Sequence, residues 1–194
     1  MNKKLMYVLM AILLVAVVAF AACNRGGTDN DPDKDQDQNQ DQTQDKSILD
    51  LYDDVKNAKK ATQTITIKKG ADEIAVEKLS YNFETGKVTI ERKMLNSSDA
   101  DELYTTTTET KDIEGRNTAN LTAANLKDVT ETQTKLTAKV ANANLNTVFG
   151  IASTDVKGDA VLELVAQGSH IVSITVTYTD SADNAVQIVT NYVY

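Results

Sequence analysis

The sequence predicts an α+β fold: one N-terminal helix packed on a curved, half-barrel-like antiparallel sheet of about seven or eight strands, with one or two short extra helices. Two observations favour this class. Apolar residues recur at helical spacing near residue 48, and a threonine-rich two-residue alternation dominates from there to the C-terminus. Of the 194 residues, the first 47 do not have the pattern of a segment that packs into a core. Residues 48–194 are therefore predicted to form a single domain.

The N-terminus has the organisation of a secretory signal peptide. Lys3 and Lys4 form a short basic region, and 16 uninterrupted apolar residues follow from Leu5 to Phe20. This run is shorter than the roughly 20 apolar residues that a membrane-spanning helix needs. Its charge, its length and the small residues at its end are typical of a signal peptide. We expect residues 1–22 to be cleaved.

The apolar run ends in Phe20-Ala21-Ala22-Cys23, which resembles the lipobox of bacterial lipoproteins, usually written Leu-Ala-Gly/Ala-Cys. Three of the four positions fit, and Phe20 departs from the usual leucine. The resemblance implies that the Cys23 thiol receives a diacylglycerol and that a peptidase then cleaves on its N-terminal side. Two acyl chains would anchor the product in the cell membrane, facing the extracytoplasmic side. The alternative is an uncleaved membrane anchor in which the cysteine is incidental.

Residues 23–47 comprise this cysteine and a polar segment predicted to be a disordered tether. The segment consists largely of Asp, Gln, Asn and Gly and contains seven aspartates. Such a composition cannot bury enough apolar surface to offset the entropy of ordering. Its alternating aspartates invite comparison with an EF-hand loop. Counted from Asp29, however, the turn glycine is replaced by Lys34 and the bidentate glutamate by Gln40. We therefore predict a solvated spacer without a metal site.

The folded region opens with helix signals. Ser47 can cap a helix, and Asp50 lies in the favourable first turn. The apolar spacing that follows predicts one amphipathic helix from about Ile48 to Lys60. The residues at helical spacing are Ile48, Leu51, Tyr52, Val55 and Ala58 or Lys59. The apolar stripe that they form needs a surface to cover.

Most of the remaining sequence alternates with the two-residue period of strands, which predicts an antiparallel sheet. The periodicity loosens at 117–129 and at 142–150, where short helices are expected. The predicted strands are Thr62–Lys69, Glu73–Phe83, Lys87–Leu95, Glu102–Lys111, Lys135–Ala141, Asp159–Gln167, Gly168–Thr179 and Ala185–Tyr194.

One helix against a long antiparallel sheet, in an acylated and secreted chain, is similar to the LolA/LolB-like lipoprotein carriers, whose curved half-barrel wraps an apolar cavity. The resemblance is architectural and covers about residues 48–194. It implies a cavity lined by the inward-facing side chains of the sheet. The candidate lining residues are Ile65, Ile67, Val88, Ile90, Leu162, Leu164, Ile174 and Val176.

The residue types present exclude several kinds of site. Cys23 is the only cysteine, so an internal disulfide and a cysteine-based zinc site are excluded. The only histidine, His170, lies at a tight turn, and we expect it to face solvent. The tyrosines could line a pocket, but cross-strand packing is the favoured interpretation. The run Thr105–Thr108 is attributed to strand propensity in preference to a glycan-binding array.

The sequence therefore predicts neither a cofactor nor a metal, and no enzymatic activity; a hydrolase using a carboxylate pair is the third hypothesis. The formal net charge is −8, and loss of Lys3 and Lys4 with the leader leaves −10. Without a basic stripe, nucleic acid is not expected as a partner. The leading hypothesis is a membrane-anchored, non-enzymatic lipoprotein that binds a lipid, another apolar ligand or an envelope component such as a protein. The alternative is a surface protein-interaction or adhesion module.

Overall fold

The computed structural model describes residues 46–94, 105–113 and 120–194. The predicted leader, Cys23 and most of the predicted tether lie outside the described residues. Nine strands are present in the described part: β1 (Lys60–Lys69), β2 (Asp72–Asn82), β3 (Lys87–Met94), β4 (Thr105–Asp112), β5 (Leu126–Glu131), β6 (Lys135–Val140), β7 (Val156–Gln167), β8 (His170–Asp180) and β9 (Ala185–Val193).

Six helical elements lie within the described residues, and all are short. Two are α-helices, α1 (Ile48–Leu51) and α2 (Leu145–Phe149). Four are 3-10 turns, at Tyr52–Asn57, Ala123–Asn125, Asn142–Asn144 and Ser153–Asp155. Within the described ranges, no helix is long and apolar enough to cross a membrane.

All nine strands form one antiparallel sheet in the order β4-β3-β2-β1-β9-β8-β7-β6-β5. The chain enters the sheet at its centre with β1 and meanders outward to β4. It then continues at the opposite edge with β5 and meanders back to β9. There β1 and β9 pair, with Ile65 opposite Ile188. Among the described residues, β4 and β5 each pair on one side only, so the sheet is open.

The predicted N-terminal helix is wrong in type and length. The α-helix ends at Leu51, a 3-10 turn follows over Tyr52–Asn57, and β1 begins at Lys60. The apolar residues Tyr52, Val55 and Ala58 are spaced by three, which suits the three-residue turn of a 3-10 helix as well as an α-helix. The spacing alone therefore does not distinguish an α-helix from a 3-10 helix. Within residues 46–94, 105–113 and 120–194, no long helix covers the sheet.

The predicted half-barrel-like sheet of about seven or eight strands is also wrong, since the described residues form an open sheet of nine strands. The additional strand is β5, in the region where the periodicity loosens. Asp128 has a φ of 51°, and the pairing of β5 with β6 shifts register between Lys127 and Thr130. Residues 127–131 are exposed, so no buried alternation marks the strand.

We define the inner face of the sheet as the face that carries Ile65. The register places Ile188, Val176 and Leu162 in line with it on β9, β8 and β7. This face carries the hydrophobic core, which is one continuous cluster. The short helical segment 48–57 contacts β7, β8 and β6. The opposite face is called the outer face.

Candidate functional site

The inner face has two chemically different halves. On β6 and β7 its side chains are aliphatic and buried, as at Leu136 (1% exposed) and Leu164 (0% exposed). From β9 to β4 it also carries polar, charged and aromatic side chains, most of them only partly buried. We call these the mixed patch, which consists of Gln63, Glu77, Tyr81, Arg92, Glu109, Lys111, Thr190 and Tyr192.

A charged network lies on the β2–β4 side of the mixed patch. Arg92 lies directly opposite Glu77, and its Nε donates to the Glu77 carboxylate at 2.5 Å. Its Nη1 donates to Glu109 at 2.8 Å, and Lys111 Nζ lies 3.1 Å from the same carboxylate oxygen. Glu77 is only 3% exposed. Each carboxylate is therefore paired with a cation, as burial of charge requires.

The network shifts the protonation of its members. Burial of Arg92 opposes its charge, but the hydrogen bonds to Glu77 and Glu109 outweigh this, so the pKa of the guanidinium is raised. The hydrogen bond from Arg92, and next that from Lys111, hold the pKa of Glu109 below its usual value. The carboxylate of Glu109 is therefore a stable acceptor at the edge of the patch.

One donor of this network is unpaired. Nη2 of Arg92 is buried and has no hydrogen-bond partner among the residues that the structure describes. A buried donor without an acceptor costs roughly 1–3 kcal/mol, and such groups are rare in folded proteins. The mixed patch therefore contains a polar group that its own side chains do not satisfy.

Aromatic rings and an amide form the rest of the mixed patch. Tyr81 and Tyr192 are the cross-strand neighbours of the small residue Ala61, one on each side. Tyr81 stacks on Phe83 with ring centroids 5.8 Å apart. Burial, and then the nearby charge of Glu77, raise the pKa of Tyr81 to about 12. In the next row, Gln63 Nε2 donates to Thr190 Oγ1 at 3.2 Å.

The eight residues predicted to line a cavity all lie on the inner face and within the hydrophobic core. Each is at most 7% exposed, and Leu162 and Leu164 are 0% exposed. In the free protein these eight side chains thus offer almost no surface to a ligand. Their role in lining a cavity stays a prediction. They are Ile65, Ile67, Val88, Ile90, Leu162, Leu164, Ile174 and Val176.

His170 makes contacts that the sequence did not indicate. It is the first residue of β8, and its side chain is 44% exposed. Its Nδ1 is hydrogen-bonded to the carboxylate of Asp54, and its ring stacks on Tyr194 at 4.2 Å. Hydrogen bonds from Asn57, and next from His170, hold the pKa of Asp54 below its usual value. Since 116 residues separate Asp54 and His170, no local pattern indicates the pair.

In the described part of the chain, no group of three or more His, Cys, Asp or Glu side chains is placed to hold a metal ion. The charged members of the mixed patch were not predicted as site residues, although the sequence does contain a signal for them. Glu77 stands between Ala75 and Leu79, and Arg92 between Ile90 and Met94, where the two-residue alternation calls for apolar residues. Charged residues at inward positions indicate either a buried ion pair or a binding surface.

No protein-family model matches the sequence, and no curated protein matches it. Among solved structures, the chain has a weak similarity to dehydratase domains. A fusion DH domain has a TM-score of 0.23 and 10% identity, covering 75% of each chain. The dehydratase domain from the terminal module of the rifamycin polyketide synthase has a TM-score of 0.22 and 11% identity, covering 72% of this chain and 76% of that one. TM-scores this low do not define a shared fold. The chain is therefore classified by its own architecture, which is an open antiparallel sheet with short helices.

Proposed function

We propose that this protein is an extracytoplasmic lipoprotein, anchored in the membrane through Cys23, whose domain binds an envelope component without catalysing a reaction. The anchor rests on the basic residues, the apolar run and the Phe20-Ala21-Ala22-Cys23 sequence. The acidic segment up to Ser47 would separate the domain from the membrane by roughly 25–30 Å, as a flexible coil of its length.

The observation that supports a binding role is the mixed patch. A surface that serves only as core is apolar, whereas this half of the inner face combines aromatic rings, an amide and paired charges. Ligand sites commonly combine apolar and aromatic walls with a few placed polar groups. The eight buried aliphatic residues offer almost no free surface, so the mixed patch is the better candidate for first contact with a ligand.

A second candidate function is adhesion or protein interaction through the outer face. A continuous row of hydroxyl and amide side chains crosses six strands there, without a charge. Thr89 and Thr110 are 3.4 Å apart between their hydroxyl oxygens. Such a row could contact a polar partner, but threonine also suits any half-exposed strand. The row consists of Thr110, Thr89, Ser80, Thr62, Asn191 and Ser173.

The anchor is tested by metabolic labelling. When the full-length chain is expressed in bacteria with radioactive palmitate, we expect the protein to carry label and to sediment with membranes. Cys23→Ala should abolish the label, because no other residue of the chain carries a thiol. Ala22→Ser, which keeps a small residue beside the cysteine, is the matched control and should retain the label. An unlabelled wild-type protein, or labelled Cys23→Ala, would show that the anchor is not on this residue.

A further inference from the structure

The charges of the mixed patch favour an uncharged ligand. Arg92 and Lys111 balance Glu77 and Glu109, and each carboxylate already accepts a hydrogen bond from a cation. An anionic ligand would meet two carboxylates. A cationic ligand would find both carboxylates occupied by Arg92 and Lys111. Neither kind of ion has an uncompensated partner in the patch.

The patch nevertheless has free hydrogen-bonding capacity. The bond from Gln63 to Thr190 uses one of the two amide protons of Gln63, so its carbonyl oxygen and second N–H remain available. Glu109 is 39% exposed, and Arg92 holds its carboxylate in place, so further lone pairs face outward. Gln63 and Glu109 lie in one row of the inner face but three strands apart, roughly 14 Å at the usual strand spacing, so a chain of several sugar rings is needed to reach both. A ligand with many hydroxyl groups can use both kinds.

The aromatic residues add a surface for apolar C–H groups. Tyr81 and Tyr192 lie on the two sides of Ala61 in one row of the inner face. Both tyrosines are half-buried. Aromatic rings beside hydrogen-bonding groups suit a ligand that is apolar on one face and hydroxylated at its edges. A pyranose ring has this character, whereas an acyl chain would cover the remaining hydrogen-bonding groups of Gln63 and Glu109 without pairing them.

We propose that the mixed patch binds an uncharged saccharide. The saccharide would be the envelope component of the binding role proposed above, on which this inference rests. Gln63 and Glu109 provide hydrogen bonds to its hydroxyl groups, and Tyr192 contacts its apolar face. Arg92 acts as a positioning residue that fixes Glu109. If the side chains that cover Arg92 move on binding, a ligand oxygen supplies the acceptor that its Nη2 lacks.

The test is isothermal titration calorimetry with the chain that begins at Asn24. The probes are maltohexaose, cellohexaose, chitohexaose, mannohexaose and xylohexaose, all uncharged. Polygalacturonate provides an anionic comparison, and vesicles of phosphatidylcholine provide a lipid one. We expect at least one uncharged hexasaccharide to bind, and expect Gln63→Ala and Tyr192→Ala to weaken that binding about tenfold each, the effect of one lost polar or stacking contact.

Thr64→Ala is the matched control, since Thr64 follows Gln63 on β1 but lies on the outer face. It should leave the affinity unchanged. Far-ultraviolet circular dichroism of every variant shows whether it is folded, and Gln63→Ala removes no core side chain. Binding of none of the five saccharides, or binding confined to polygalacturonate or phosphatidylcholine, overturns the saccharide proposal. Palmitate labelling tests the lipid anchor and does not depend on saccharide binding. The two proposals can therefore be overturned separately.

Discussion

Replacing Arg92 by methionine is expected to lower the free energy of unfolding by about 3–5 kcal/mol, because Glu77 would remain buried without its cation. Glu77 is 3% exposed, and Arg92 is the cation that contacts it. Urea denaturation followed by circular dichroism measures the change. The chain has no tryptophan, so fluorescence is a weaker probe.

Two further variants define the origin of this effect. Adding Glu77→Gln to Arg92→Met removes both charges and should recover most of the lost stability. Lys93→Met alters the next residue of β3, which is exposed, and should change stability by no more than about 0.5 kcal/mol. If Arg92→Met costs less than about 1 kcal/mol, Glu77 is not buried as an ion and the network is described incorrectly.

Replacing Asp180 by alanine is expected to cost about 2–4 kcal/mol, because the loop between β8 and β9 is built around this carboxylate. Asp180 is 3% exposed. Its Oδ1 accepts hydrogen bonds from the backbone N–H groups of Ala182 and Asn184, each at 2.8 Å. Its Oδ2 accepts a third, from Asn184 Nδ2 at 2.8 Å. Alanine would leave these donors without their acceptor in a loop where Asn184 is buried.

Thermal denaturation compares Asp180→Ala with Ser181→Ala in the same loop. Ser181 is exposed, and its backbone N–H donates a hydrogen bond to the Asp155 carbonyl at 2.9 Å. Alanine preserves that bond, so Ser181→Ala should have little effect. Equal melting temperatures for the two variants would mean that the Asp180 carboxylate does not organise the loop.

Strands with regular alternation were predictable from the sequence because one side of each is buried. A strand was predicted at Ala185–Tyr194, and β9 spans Ala185–Val193. The antiparallel pairing of the sheet is also confirmed. The turn between β7 and β8 was predicted at Gly168-Ser169. There Gly168 has a φ of 60°, the left-handed backbone that a two-residue hairpin favours.

Failures of prediction have two physical causes. The first is local irregularity: the bulge at Asp128 hides β5, and the three-residue spacing from Tyr52 to Ala58 fits two kinds of helix. The second is distance along the chain. Gln63 and Thr190 are 127 residues apart and meet only because β1 and β9 are neighbours in the sheet. Strand order is set by packing of the whole sheet, which alternation in a single strand does not reveal.

Pairing of β1 with β9 assembles the mixed patch, and an engineered disulfide between the two strands tests this arrangement. Gln63 and Thr190 are direct cross-strand partners, and such antiparallel partners have Cα atoms about 4.5–5.5 Å apart, within disulfide range. In the chain that begins at Asn24, which lacks Cys23, Gln63→Cys with Thr190→Cys should form an intramolecular disulfide on mild oxidation. Gln63→Cys with Asn191→Cys places the thiols on opposite faces and should not. Mass spectrometry of non-reduced peptides distinguishes the two. Absence of the first disulfide, or equal yields in both variants, would contradict this arrangement of the sheet and of the patch on it.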